Sequence, residues 1–305
     1  MSSSDSNVAD LLRAGSQTLD AAGSESPRLD VELLLGHVLG VGRATLLAEG
    51  NSRVSADQEA AYRHLIEQRA RGIPVAYLRG LKEFHGLALS VDERALIPRP
   101  ETELLVELAL GLIARRLTDA PREAGARPVL VWDVGTGSGA IAVAVAVECR
   151  RRGYLPDVAL RATDVSPDGV TLATENAVVH GVADAISFAT ADLTDLPDTD
   201  PADLVLANLP YIPTDVVPTL PIAASFEPRL ALDGGADGLE VIRRLLTQLP
   251  EALAANGMAL VEIGADQHEA LGEAVAGALP GWLLTIHDDL AGRPRVAQIA
   301  RGGGA

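Results

Sequence analysis

The sequence predicts a doubly wound α/β sheet of seven strands, preceded by a small helical bundle. Three observations carry that expectation. From Val129 onward, short apolar runs alternate with helical ones, the pattern of a parallel sheet covered by helices on both faces. A glycine-rich turn joins the first of those strands to an Ala/Val helix. Before about residue 80 the periodicity is helical instead, with little β-branched enrichment. At 305 residues the chain is long enough for two domains. Hydrophobic residues at 48% and charged ones at 22% make it globular, and an aromatic share of 3% leaves the core to Leu, Val, Ile and Ala.

The bundle is expected over residues 1–80. "NVADLLRAGSQTLDAAG" begins with Asn7 as a cap and ends in glycine, and "SPRLDVELLLGHVLG" places Ser26 before Pro27, the preferred start of a helix. "SADQEAAYRHLIEQRARG" starts at another cap, Ser55, and stops at Gly72. Residues 81–98 are expected as a hairpin linker, because "EFHGLALSVDERALIPRP" alternates apolar and polar positions around a glycine. The sheet domain follows over 99–301, opening with the helix "ETELLVELALGLIARRL" and a surface connection, "TDAPREAGARP". Strands are expected at "VLVWDV", "ALRATDV", "ISFATAD", "LVLANL", "MALVEIG", "LLTIHDD" and "RVAQIAR", the last antiparallel. The tail, 302–305, is expected to be disordered.

A net charge of -17 repels a phosphate backbone on average, so stable nucleic-acid binding is not expected. Arg150, Arg151 and Arg152 read as a solvated helix end rather than a basic patch. Cys149 stands alone and cannot form an internal disulfide. The start "MSSSDSNVADLL" has no basic region followed by an apolar stretch, and no apolar run approaches the roughly 18 residues of a membrane span. A cytoplasmic location without membrane contact is therefore expected. His37, His64, His85, His180, His268 and His287 have no ligand-like spacing, so no metal site is expected.

The chemistry-bearing residues stand at strand ends. Asp133 closes the first strand of the sheet and leads into Gly135, Thr136, Gly137, Ser138 and Gly139. A Gly-rich strand-to-helix turn is shared by dinucleotide, nucleotide and S-adenosylmethionine (SAM) sites. The G-x-G-x-G spacing, with no Lys following, favours SAM. Asp164 ends the second strand, where a carboxylate can accept hydrogen bonds from two ribose hydroxyls. Asp192 and Leu193 end the third, where the edge and face of an adenine would lie. Asn208 ends the fourth, so four successive strand ends carry Gly, Asp, Asp and Asn on the edge where ligands bind in such sheets.

With SAM on that edge, Asn208 stands where the methyl group would point. An amide or exocyclic amino nitrogen is a poor nucleophile, because its lone pair is delocalised. Hydrogen bonds from its N–H groups to the Asn208 side-chain oxygen and the Leu209 carbonyl would align the remaining electron density with the methyl. Pro210 keeps the corner rigid, and Tyr211 offers a flat wall to a planar amide or base. Direct methyl transfer needs no strong base, so no catalytic dyad is expected. Glu101 and Glu103 read as acidic residues favouring a helix start rather than as an acid and base. Arg99 either holds its loop by an ion pair or contacts substrate, His85 is a hairpin residue, and Cys149 is a semi-buried thiol.

At this point the sequence resembles the HemK/PrmC protein-(glutamine-N5) methyltransferases, over nearly the whole chain. "PVAYLRGLKEFHGLALSVDERALIPRPETELLVE" resembles that family's interdomain hairpin and its "IPRPETE" loop, and "DVGTGSGAIA" its SAM loop. "EPRLALDGGADGLEVIRRLL", "LVEIGADQ" and "DLAGRPRVAQIAR" resemble its carboxyl-terminal third. The resemblance implies a SAM-dependent methyltransferase that modifies the glutamine of the Gly-Gly-Gln loop in class 1 peptide chain release factors; separately, the chain is expected to be a monomer. It makes residues 1–80 the substrate-recognition domain, Gly135 to Gly139, Asp164 and Leu193 SAM contacts, and Asn208 to Tyr211 the glutamine site. The sequence departs at Leu209, where the family usually has proline. Asn-Leu-Pro-Tyr is also the form in rRNA adenine-N6 dimethyltransferases, so methylation of an exocyclic amino group on an RNA or DNA base is the alternative. A non-catalytic SAM-binding partner module is another. The leading helical domain and the charge favour glutamine.

Overall fold

The computed structural model describes residues 6–118 and 127–302. Most of the connection expected at 118–128, and the tail beyond Gly302, lie outside them. Two compact units are present: Met1–Leu81 with Leu220–Phe226, and Lys82–Thr219 with Glu227–Ala305.

The first unit is helical: α1 (Val8–Ala21), α2 (Pro27–Leu39), α3 (Arg43–Ala48), α4 (Ala56–Ala70) and α5 (Val75–Arg79). Leu11, Leu19, Leu34, Leu35, Leu46 and Tyr62 are buried together at its centre. Gly15 brings α1 against α4: a Cβ there would fall 2.2 Å from the Tyr62 hydroxyl. Asn7 caps α1 by accepting from Asp10 N, and Ser55 forms a capping box with Gln58. Ser26 does not cap α2. Its hydroxyl donates to Asp30 at 2.9 Å, because Asp30 is buried and also collects the Ser24 hydroxyl and Arg69. The Ile222 side chain lies 2.8 Å from where a Cβ on Gly72 would stand.

The second unit opens with a hairpin, β1 (Leu81–Phe84) and β2 (Leu87–Ser90). Its two turn residues, His85 and Gly86, have φ of 48° and 70°, as a tight two-residue turn requires. A 3-10 turn (Pro100–Thr102) then leads into α6 (Glu103–Thr118). After it come β3 (Val129–Val134), α7 (Ala140–Arg151), β4 (Val158–Asp164), α8 (Pro167–Val179), β5 (Ile186–Thr190), β6 (Ala202–Ala207), α9 (Glu240–Ala252), β7 (Leu253–Glu262), α10 (His268–Ala278), β8 (Trp282–Asp288) and β9 (Pro294–Arg301).

β3 to β9 form one sheet of order β5-β4-β3-β6-β7-β9-β8, parallel except for β9, which runs antiparallel to both β7 and β8. Alternation along the strands divides two cores. On β6, Leu204 and Leu206 face the layer built with α6, α7 and the hairpin, whereas Val205 and Ala207 face the layer built with α9 and α10. All six β6 residues are buried, as expected of a central parallel strand covered on both faces. The chain winds outward from β3 to β5, then returns to place β6 on the other side of β3. The switch point lies between β3 and β6, so a crevice opens at their carboxyl ends.

Candidate active site

One cavity occupies that crevice, and its wall includes Gly135, Gly137, Asp164, Leu193, Asn208 and Pro210. The turn after β3 is held from the neighbouring strand: Gly135 N and Thr136 N both donate to Thr163 O, at 2.8 and 2.9 Å. Gly139 starts α7 with φ of 81°, and a Cβ there would meet Ala173 of α8 at 3.0 Å. Gly139 therefore serves close packing between helices and lies outside the cavity wall, unlike Gly135, Thr136, Gly137 and Ser138.

Asp164 accepts from Gly137 N at 2.8 Å and from Ser166 N at 2.9 Å, one on each carboxylate oxygen. Burial pushes its carboxyl above the usual range, and the backbone N–H groups offset part of that. Each oxygen keeps a free lone pair for the cavity it lines. Asp133 is buried beneath the turn. Its Oδ2 accepts from Thr136 Oγ1 at 2.6 Å and from Ala142 N at 3.1 Å, while Oδ1 has no partner. Burial pushes this carboxyl up to about 7.

Leu193 holds φ of 58°, unusual for a branched side chain. A relay fixes it there: Trp132 Nε1 donates to Thr163 Oγ1 at 2.9 Å, and that hydroxyl donates to Leu193 O at 3.1 Å. Asp192 also lines the cavity, but its half-exposed carboxylate is engaged by Arg244 of α9.

Asn208 follows β6 directly. Its Nδ2 donates to Thr102 Oγ1 at 3.0 Å. Leu209 is buried, and a Cβ on Gly135 would stand 2.8 Å from its Cδ2, so it fills the space under the glycine turn. Tyr211 lies outside the cavity wall; its hydroxyl donates to Glu262 Oε1 at 3.3 Å, and burial beside that carboxylate pushes it up to about 12. The Tyr211 ring is half-buried and packs against the core under α9 and α10.

The corner rests on the "DGGADGL" segment. Ile212 N donates to Leu232 O at 3.1 Å and Gly234 N to Ile212 O at 2.8 Å, and Gln267 Nε2 donates to Tyr211 O at 2.8 Å. Gly234 is close enough that a Cβ would fall 2.6 Å from Pro210 O.

Arg99 pairs with buried Glu227 at 2.6 Å, and the other Glu227 oxygen accepts from Ile97 N at 3.0 Å, so the ion-pair reading of Arg99 holds. Glu103 accepts from His85 N at 2.8 Å, tying hairpin to helix. Cys149 is fully buried rather than semi-buried, and burial pushes its thiol up to about 11. Arg150, Arg151 and Arg152 are all exposed at the end of α7, as expected of a solvated helix end, and Arg150 also donates to His180 O and Gly181 O at the end of α8. Sequence reasoning passed over Thr102, Glu262, Glu227, Gln267 and Arg244. Glu262 alone had a signal: a carboxylate inside the apolar run "MALVEIG". Among the described residues no cluster of three metal-ligating side chains occurs, and no helix is long and apolar enough to cross a membrane.

A glycine turn at the end of β3 and an acidic end to the neighbouring β4, beside the switch point of a sheet of this order, place the protein in the class of SAM-dependent methyltransferases. A family model described as the PrmC N-terminal domain matches residues 10–80, and one described as an RMKL-like methyltransferase domain matches 112–213. The release factor glutamine methyltransferase of Deinococcus radiodurans is 37% identical over 97% of this chain and 99% of its own. That of Moorella thermoacetica is 39% identical over 83% of this chain and 84% of its own. The chain belongs to the release factor glutamine methyltransferase family. The hMettl16 catalytic domain, solved in complex with MAT2A 3'UTR hairpin 6, shares the fold at 16% identity and a TM-score of 0.53, over 71% of this chain and 76% of that one.

The cofactor is S-adenosyl-L-methionine, and the cavity fits it. The Gly135–Ser138 turn lining the cavity, the Asp164 carboxylate and the apolar wall of Leu193 and Ile141 suit a methionine tail, a ribose and an adenine in turn.

Proposed function

We propose that this protein methylates the side-chain amide nitrogen of the glutamine in the Gly-Gly-Gln loop of class 1 peptide chain release factors. The observation that carries this reading is the Asn208 amide, with Nδ2 committed to Thr102 and Oδ1 left for the cavity.

Bound SAM supplies a methyl group on a cationic sulfur. Asp164 would hold the ribose hydroxyls, Gly135 to Ser138 the methionine end, and Asp192 and Leu193 the adenine. Asn208 Oδ1 and the Leu209 carbonyl accept the two N–H hydrogens of the glutamine amide and turn its nitrogen towards the methyl. Pro210 and the glycine segment behind it hold both acceptors in place before substrate arrives, so little ordering cost remains at the reacting centre. With SAM bound, its sulfonium would give up the methyl group to the amide nitrogen held by Asn208 Oδ1 and the Leu209 carbonyl, S-adenosylhomocysteine would leave, and one amide proton would pass to solvent. Residues 1–80 recognise the release factor, and the chain acts as a cytoplasmic monomer without stable nucleic-acid binding.

The test is methyl transfer from labelled SAM to an intact release factor, to the same factor with its loop glutamine replaced by alanine, and to bulk RNA. Label on the intact factor alone supports the reading. Label on RNA alone assigns the Asn-Leu-Pro-Tyr corner to an exocyclic amino group and overturns it. Binding of SAM with no label anywhere favours a partner-binding module.

A further inference from the structure

Helix α9 holds the segment that follows β5 at two points one turn apart. Arg244 donates to Asp192 Oδ2, and Gln248 Oε1 accepts from Thr194 N at 2.9 Å and from the Thr194 hydroxyl at 2.6 Å. Positions 244 and 248 share one face of the helix, so both contacts come from the same side. The helix has little freedom to move, because Ile242, Leu245, Leu246 and Leu249 are completely buried. The backbone around Asp192 is fixed as well. Ala191 N donates to Asp164 O at 2.9 Å, Asp195 N to Asp192 O at 3.1 Å, and the Thr163 hydroxyl to Leu193 O at 3.1 Å. What remains to be set is the direction of the Asp192 side chain, and Arg244 sets it.

Asp192 and Arg244 are both half-exposed, and an ion pair of that kind adds little to stability. Its place gives it another use, since both residues belong to the cavity wall. With Oδ2 taken by Arg244, Oδ1 is the oxygen able to accept from a ligand there. A carboxylate in an ion pair only accepts. It therefore suits a ring amino group and opposes a ring carbonyl, whose lone pairs would face its own. Without the arginine, a half-exposed aspartate is free to turn to water, and that preference is lost.

We propose that Arg244 is a positioning residue that holds the Asp192 carboxylate against the 6-amino group of the SAM adenine, and so makes the site select adenine over a 6-oxo purine. This rests on the reading of Asp192 as an adenine contact. It is independent of what Asn208 does to the substrate, so binding alone can test it.

The experiment measures, by titration calorimetry on the full chain, the affinity for S-adenosylhomocysteine and for S-inosylhomocysteine, its 6-oxo counterpart. Arg244→Met is expected to weaken binding of the adenine ligand roughly 5- to 10-fold and to leave the 6-oxo ligand within about twofold, so the preference between them falls by that factor. Arg244→Lys, which keeps a cation without the planar fork, should recover part of the loss. Arg243→Met removes the neighbouring arginine, which pairs with Asp237 outside the cavity wall, and should keep the parent preference. Asp192→Ala should abolish the preference, and adding Arg244→Met to it should change nothing further. A parent-like preference in Arg244→Met, with none in Asp192→Ala, overturns the positioning role alone. Equal weakening of both ligands in Arg244→Met makes the pair a structural tie and likewise overturns it. A parent-like preference in Asp192→Ala, or no preference in the parent, overturns the reading of Asp192 on which it rests. Should Arg244→Met bind neither ligand, the same ratio in Arg244→Ala decides.

Discussion

Gly238 stands directly against the carbonyl of Tyr211: a Cβ at residue 238 would fall 2.2 Å from that oxygen. The same carbonyl takes the Gln267 side chain, and the Gly238 φ of 76° is one that few L-residues adopt. The corner that carries Asn208 is therefore set by a segment about thirty positions further along the chain, through backbone contact rather than side-chain packing.

Gly238→Ala should cost about 2 to 4 kcal/mol, from the left-handed backbone and the forced retreat of Tyr211 together. Denaturant unfolding measures the stability. Because the retreat moves the corner, kcat should fall more than SAM affinity does.

Leu209→Ala removes a buried side chain from beneath the glycine turn and should cost about 2 to 3 kcal/mol. The Leu209 backbone carbonyl is untouched, so glutamine remains the group methylated and RNA stays unlabelled. Appearance of label on RNA would make the side chain a determinant of substrate choice.

Asp164→Asn and Asp133→Asn look alike and should behave oppositely. At Asp164 the two backbone N–H donors use different oxygens. An amide keeps one of them and sets its NH2 group against the other donor. SAM affinity should weaken roughly 10- to 100-fold, about 1.4 to 2.8 kcal/mol, read by titration calorimetry.

At Asp133 both donors use Oδ2, and Oδ1 is orphaned, so an amide keeps both hydrogen bonds. The folded carboxyl titrates near 7, against 3.8 as its ordinary value. A raised folded value means stability that is fully present below about pH 4 and lost as pH rises through 7. Asp133→Asn should therefore melt higher than the parent at pH 8, on the order of 5 °C, with a smaller gap at pH 5. Asp164 and Glu262 are shifted in the same direction, so some slope remains in the variant. Equal melting temperatures at pH 8 would show that solvent reaches Asp133.

Much of the architecture was legible because it is encoded locally. All seven strands lie where the apolar runs placed them, with ends shifted by a few residues: "LVLANL" stops at Ala207, since Asn208 and Pro210 leave the ladder. Asn7 and Ser55 cap their helices from within one turn. Ser26 does not, because a buried aspartate four residues on competes for its hydroxyl. The "IPRPETE" and "DGGADGL" segments stood out as motifs, but their physical task did not. Arg99 answers to Glu227, and Gly234 to Pro210. Within "RPETE" the charged residues drew attention, whereas the residue that touches Asn208 is the threonine between them.

The sequence by itself determined the sheet, its winding and the strand ends that carry glycine, aspartate and asparagine, because apolar periodicity and turn chemistry act over a few residues. Only the tertiary structure decided which end of Asn208 faces the cavity. That depends on Thr102, which takes the Asn208 NH2 group from more than a hundred positions away, and no local pattern records a contact between residues so far apart in the chain.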